Sequence, residues 1–309
     1  MPAQPRFRIH FNSALRAASV GVLVVGSLAI SPLAASAATG TPKPHVCSGT
    51  FAKPGVLSGT INGKVVVKGF CGVSAGQATV KGDVVVTSGS VLASVFGQNH
   101  RTHHGASGLS VGGDVVVQHN ATALLGCDPS SSPCIDDPSA KKPTLFSHTQ
   151  ILHDLWANQA LGVIVHNTSI GGNVTSTGGG GGVNCTPSGF FKLIKSPVFS
   201  AYEDTSVNGN VSISGMKSCW LGLARLKAGQ DVSVIGNTLA DPDAIEIVSN
   251  HISGDLICKQ NSRTWDSGDL SNNLFPRQPQ PNTVAGKRVG QCVLNSPTSP
   301  KDKPGPGPF

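Results

Sequence analysis

One short phrase returns along the chain: an apolar residue, any residue, Gly, a small acid or amide, then aliphatic or β-branched residues. It reads Ile61-Asn62-Gly63-Lys64-Val65, Val80-Lys81-Gly82-Asp83-Val84, Val111-Gly112-Gly113-Asp114-Val115, Ile170-Gly171-Gly172-Asn173-Val174, Val207-Asn208-Gly209-Asn210-Val211 and Ile252-Ser253-Gly254-Asp255-Leu256. Degenerate copies fit Leu152-His153-Asp154-Leu155, Gly229-Gln230-Asp231-Val232 and Val284-Ala285-Gly286-Lys287. Measured at the Gly position, successive copies are spaced 19, 31, 40, 19, 37, 21, 24 and 32 residues apart. A period of about 20 residues is what one coil of a parallel β-helix needs, and the longer spacings fit a coil carrying an inserted loop. Each phrase reads as a strand that turns on Gly, where positive φ or close approach is required, and resumes as a strand on the next face. The following Asp or Asn is placed to bond nearby backbone or to stack in a ladder with its equivalents. Hairpin-built sandwiches and propellers of 40- to 50-residue blades do not produce such a phrase. The expected fold is all-β: a right-handed parallel β-helix of about nine coils, roughly 40 Å long at ~4.8 Å per coil, with loop inserts and disulfides. The helical candidate Thr149–Ala160 fits as another coil.

Composition narrows the bore. Of 309 residues, 38 are Gly and only 13% are charged, which excludes a coiled coil and a highly charged disordered chain; the Gly has no three-residue period, which excludes collagen. With 11 Phe, 3 Trp and 1 Tyr, Val, Ile and Leu are expected to fill the core.

Residues 1–37 read as a signal peptide. Arg6, Arg8 and Arg16 make a cationic start, Val20 to Ile30 an apolar stretch too short to span a bilayer as a helix, and Ala35-Ser36-Ala37 a cleavage site. No Cys lies near that site for a lipid anchor, so no membrane anchor is expected after cleavage. Loss of the three arginines takes the formal net charge from +7 to +4, and the remaining cations are scattered, so no nucleic-acid partner is expected. The mature chain divides into an N-terminal segment and cap (38–56), the β-helix (57–295) and a Pro/Gly-rich tail (296–309). It contains all eight Cys with no C-x-x-C pair, which favours four disulfides over a zinc site. Similar phase on neighbouring coils pairs Cys185 with Cys219 and Cys258 with Cys292; Cys127 and Cys134 share one loop, leaving Cys47 for Cys71.

The phrases Asn250-His251-Ile252-Ser253-Gly254-Asp255-Leu256-Ile257-Cys258 and Pro281-Asn282-Thr283-Val284-Ala285-Gly286, the latter closing on Gly290-Gln291-Cys292, resemble a group of uncharacterised secreted β-solenoid proteins from high-GC Gram-positive bacteria. So does the stretch from Leu161-Gly162-Val163-Ile164-Val165-His166 through Ile170-Gly171-Gly172-Asn173-Val174 to the run Gly178–Gly182. The likeness covers roughly 55 to 295 by the repeat register. It implies fold and export and carries no chemistry.

Function on a rigid scaffold is sought in its loops. Segments 186–204, 215–226 and 239–248 read as inserts on one side of the rod and contain Tyr202, Glu203, Asp204, Trp220, Arg225, Asp241, Asp243 and Glu246, including the only two Glu of the chain. An aromatic platform with carboxylates is how a groove takes a sugar or holds Ca²⁺; the plain alternative is a set of solvated loop charges. A lyase-like enzyme would need Ca²⁺ on Asp241, Asp243 and Glu246 to acidify a uronate proton and Arg225 as the base. The segment His100-Arg101-Thr102-His103-His104, with His119, is a weaker metal candidate. Gly72-Val73-Ser74-Ala75-Gly76 has the G-x-S-x-G spacing but no helix to follow it, so it reads as a repeat turn. The expectation is a secreted, extracellular or cell-wall-associated monomer serving as a non-catalytic structural or binding module, with a cell-wall or extracellular polysaccharide as its partner. The alternative is a Ca²⁺-assisted polysaccharide-active enzyme, a lyase or glycosidase.

Overall fold

The computed structural model describes residues 43–139, 141–241, 245–262, 264–265 and 282–292. The segment read as a signal peptide (1–37), Asp243 and the segment read as a tail (296–309) lie outside the described residues.

The chain winds through three parallel sheets in fixed order. The first face comprises His45–Gly49, the start of Val65–Gly72, Val84–Val86, Val115–Val117, Leu155–Asn158, Val174–Thr177, Val211–Ser214, Val232–Ile235, Leu256–Lys259 and Arg288–Gly290. The second runs through Val91–Ser94, Thr122–Leu125, Gly162–Val165, Phe199–Glu203, Trp220–Ala224 and Ile245–Val248. The third is a nine-stranded sheet from Gly59–Ile61 to Thr283–Val284. Pairing begins at His45, earlier than residue 57, so the segment expected to act as a cap already supplies strands.

Alternation decides which side chains enter the bore. On the first face Val65, Val84, Val115, Leu155, Val174, Val211, Val232 and Leu256 stack in one buried column, one per rung. β-branched side chains suit this pleated, closely stacked surface. Thr149–Ile151 and Leu155–Asn158 are strands, so the helical pattern there is a coil as the register requires. The helix among the described residues is the short Phe191–Ile194.

The recurring phrase forms the corner between third and first faces. Of its six clear glycines only Gly63 has positive φ, so close approach is the general reason for the others. At Gly172 a Cβ would overlap the Asp154 carboxylate of the preceding coil. That carboxylate accepts the backbone N–H of Asn173 at 2.6 Å. The same bond links Asp114 N to Asp83 Oδ1, Asp154 N to Asp114, Asn210 N to Asn173, Asp231 N to Asn210, Asp255 N to Asp231 and Lys287 N to Asp255, at 2.7 to 3.2 Å. Gly lets the coils close on each other while the acid or amide satisfies a backbone donor that the turn leaves outside the sheet.

The aromatic residues are concentrated outside the bore. Phe51, Phe70, Phe190, Phe191, Phe199 and Trp220 follow one another at centroid distances of 5.5 to 6.0 Å along the outer side of the second face. The insert bearing Phe190 and Phe191 folds over that face and closes a second core with Val91, Leu124, Leu161 and Ile164. Four disulfides join Cys47–Cys71, Cys127–Cys134, Cys185–Cys219 and Cys258–Cys292, the last two as the phase assigns and the others as the shared loop and elimination do, and no free Cys remains. Such usage belongs to an oxidising, extracellular environment. Among the described residues no helix is long and apolar enough to cross a membrane.

Candidate functional site

Two of the three segments read as inserts are in large part ordinary coil. Trp220–Ala224 and Ile245–Val248 are second-face strands, as is Phe199–Glu203 at the end of the first segment. The error has a plain source: second-face strands such as Trp-Leu-Gly-Leu-Ala carry no Gly-Asp phrase, so a register marked only at the other corner counts them as loop.

The register places Glu203 beside Ala224, so Asp204 and Arg225 follow at the same corner of successive coils. Both adopt left-handed backbone, φ 47° and 53°, as do Asn167 and Ser249 at neighbouring levels. This turn aims the Arg225 side chain along the rod axis. Its Nε donates to Asp204 Oδ1 at 2.8 Å and its Nη2 to Asp204 Oδ2 at 2.9 Å and to Glu203 Oε2 at 2.7 Å. The side chains of Arg225, Asp204 and Glu203 are 27%, 19% and 6% exposed.

Burial dominates the electrostatics of this corner. It pushes the Glu203 carboxyl well above its ordinary value, with the Arg225 guanidinium opposing the shift. It pulls the imidazole of His166 down to about 4, against the carboxylates of Asp204 and Asp128. His166 Nδ1 lies 3.8 Å from Glu203 Oε2, too far for a hydrogen bond. Arg225 loses solvation, yet its bonds to Asp204 and its pairing with Glu203 raise its pKa further.

The expected aromatic platform is absent at these positions. Tyr202 points into the bore, 1% exposed, its phenol pushed up to about 12 by burial; Trp220 is also buried and donates through Nε1 to Asp241 Oδ2 at 3.1 Å. Asp241 thus bonds the first residue of Trp220–Ala224, and Arg225 stands five residues on, about 16 Å along the strand. Glu246 is buried on Ile245–Val248 opposite Gly222. Of the three acids cast in a lyase site, Asp241 is held by Trp220 at the other end of that strand from Arg225, Glu246 acts on Glu203 as one of the charges that raise its pKa, and Asp243 lies outside the described residues.

Two groups among the described residues have three ligand atoms mutually within reach of one ion: His166, Glu203 and Asp204; and Cys185, Cys219 and Asp241. The second is a disulfide beside an acid and offers no thiolate. In the first, Arg225 already occupies both carboxylates, so a cation such as Ca²⁺ would have to displace a fixed guanidinium. The sequence pointed to the carboxylates and the Arg but not to His166 as their neighbour, because only the stacking register brings it there.

The histidine-rich loop does not gather into a ligand set. His100 Nε2 lies 2.9 Å from Asp136 Oδ2, and Asp136 also accepts the N–H groups of Gly97 and Gln98 at 2.7 and 2.9 Å. His103 and His104 are exposed, and neither they nor His119 belong to a three-ligand group among the described residues. The Asp136 contacts stitch this loop to the insert closed by Cys127–Cys134; within that insert the N–H of Leu145, then that of Ser139, holds Asp137 below the usual carboxylate range. Gly72–Gly76 closes a strand and turns toward Gln77–Val80 without a helix.

No protein family matches the chain, and no curated protein or solved structure shows significant similarity to it.

Proposed function

We propose that the chain is an exported, non-catalytic structural or binding module: a right-handed β-helix of about nine coils that acts outside the cell or in its envelope as a monomer. Right-handed winding is the rule for parallel crossovers, and the nine strands of the third face among the described residues support a coil number near nine. Four disulfides and the signal-like segment 1–37 support export, as does the likeness of the phrases to secreted β-solenoids.

The observation that carries the absence of catalysis is the closure of Arg225 on Asp204 and Glu203. A guanidinium bonded to two carboxylates is neither a base nor an open Ca²⁺ site. The second reading, a Ca²⁺-assisted polysaccharide lyase, draws on the mutual reach of His166, Glu203 and Asp204. Incubation with polyuronides and cell-wall glycans, with and without Ca²⁺, separates the two. Unsaturated product that appears with Ca²⁺ and vanishes in Arg225→Ala would establish the lyase; glycan binding without turnover is the outcome expected of the module.

A further inference from the structure

The first face carries an exposed aromatic residue for which no part of the architecture accounts. Trp156 lies on Leu155–Asn158 with its side chain outward, 42% exposed, between Val116 on one neighbouring strand and Thr175 on the other. The second face is covered by the phenylalanine-bearing insert, whereas here Gln118, Asn158 and Thr177 are exposed. Trp220 is buried, whereas the Trp156 indole stands on the rigid sheet with its ring open to solvent.

The chemistry of the surrounding surface narrows the partner. None of the six strands from Val84–Val86 to Val232–Ile235 contains a charged residue. Their outward rows carry Val116 and Trp156, then hydroxyls at Thr175 and Ser212 in direct register. The adjacent acids, Asp114 and Asp154, turn an oxygen to the backbone N–H of the next coil. The result is a strip about 24 Å long, five inter-strand steps of ~4.8 Å, in which one indole is followed by a row of hydroxyls at Thr175, Ser212 and Ser233. A polyanion finds no counter-charge on the strip and meets the row of Asp83, Asp114, Asp154 and Asp231 at its edge. A chain of uncharged pyranose rings offers C–H faces for the indole and hydroxyls for Thr175, Thr177 and Asn158.

We propose that this strip, centred on Trp156, binds an uncharged polysaccharide lying along the first face. The inference rests on the module reading and assigns its ligand class and surface, away from the corner of Arg225. Preorganisation is what makes a flat, shallow surface usable: no loop has to be ordered on binding.

The test compares wild type with Trp156→Ala and Thr175→Lys for sedimentation with insoluble cellulose and chitin and for calorimetric binding to a soluble uncharged β-glucan, with polygalacturonate as the anionic control. Binding to at least one uncharged glycan, weakened tenfold or more in both variants at unchanged melting temperature, is expected. Thr175→Lys keeps the indole and changes only the charge of the strip, so agreement of the two variants excludes a folding effect at one site. Equal binding by wild type and Trp156→Ala overturns the assignment while the module reading stands, and so does binding to polygalacturonate alone. No binding to any uncharged glycan also overturns it. Trp156-dependent self-association in sedimentation equilibrium, with no glycan effect, would give the strip to a second copy of the chain and overturn it too. Release of unsaturated product by wild type and Trp156→Ala alike would instead defeat the module reading.

Discussion

The guanidinium of Arg225 lies across the carboxylate of Asp204 in a bidentate pair, with both residues in left-handed backbone at the same corner of adjacent coils. The geometry makes the pair part of the stacking, and its third contact, to Glu203, draws a buried acid into the same arrangement. Arg225→Ala leaves two part-buried to buried carboxylates without their cation. A loss of about 3 kcal/mol in unfolding free energy is expected, at the lower end for broken buried pairs because Arg225 is partly exposed. Denaturant titration measures it. Addition of Ca²⁺ should raise the melting temperature of Arg225→Ala and leave that of wild type unchanged; a wild-type response would mean that the site is open.

His166 gives the molecule an acid-side sensitivity. Its folded value of about 4 lies below the ordinary 6.5, so the folded state binds fewer protons than the unfolded chain between those two values. Its contribution to stability is full above pH 6.5 and is lost as pH falls toward 4, on the order of 3 kcal/mol in all. Glu203 works in the opposite sense: with its folded pKa raised, its contribution is full below the ordinary carboxylate value and declines as pH rises above it. The difference between wild type and His166→Gln isolates the first effect. The variant's stability should fall less steeply from pH 6.5 to 4, and parallel curves would refute the assignment.

The corner ladder predicts a specific non-additivity. Asp154→Ala removes the acceptor of Asn173 N and costs about 1 to 2 kcal/mol; Gly172→Ala drives a methyl into the Asp154 carboxylate and costs more. In the double variant the methyl no longer meets that carboxylate. The two losses should therefore sum to more than the loss measured for the double, with a coupling of about 1 kcal/mol in a thermal-unfolding cycle.

The disulfides predict where fraying begins. Cys258 and Cys292 are 34 residues apart and join Leu256–Lys259 to the chain just beyond Arg288–Gly290, the last rung of the first face. Replacing both by Ala removes a cross-link worth about 3 to 4 kcal/mol by loop-closure entropy. In a solenoid each coil holds only its neighbours, so hydrogen exchange should accelerate first at Ile257 and Val289 and leave Val84 to Val117 protected.

The phrase made the corner between third and first faces legible, and with it the coil register and the cysteine partners. It could do so because Gly and Asp there answer one local demand, a tight approach with a stranded N–H. The second-face strands were lost because Val91–Ser94, Thr122–Leu125 and Ile245–Val248 answer no local demand and differ in every position but burial. The left-handed corner after them is likewise held by Asn167, Asp204, Arg225 and Ser249, four different residues with one backbone conformation. Buried amides such as Asn250, whose Oδ1 accepts Leu226 N and whose Nδ2 donates to Leu223 O, read in sequence as ordinary loop polarity. The exposure of Trp156 has no signature in the sequence, since it depends on which face of the pleat the residue occupies and on what covers that face.

The side-chain-to-backbone bonds of the third-to-first corner all run one way, each acid or amide accepting an N–H from the coil that follows it. The series starts with Asp83, whose predecessor at that position is Lys64, and its last recipient is Lys287. Lysine has no acceptor to offer. A coil inserted anywhere between Asp83 and Asp255 would find a donor below satisfied and an acceptor waiting, whereas a coil added past Lys287 would begin with a backbone N–H that nothing receives. The two lysines thus mark the two ends of this side-chain series, while the backbone ladder itself already begins one coil earlier, at His45.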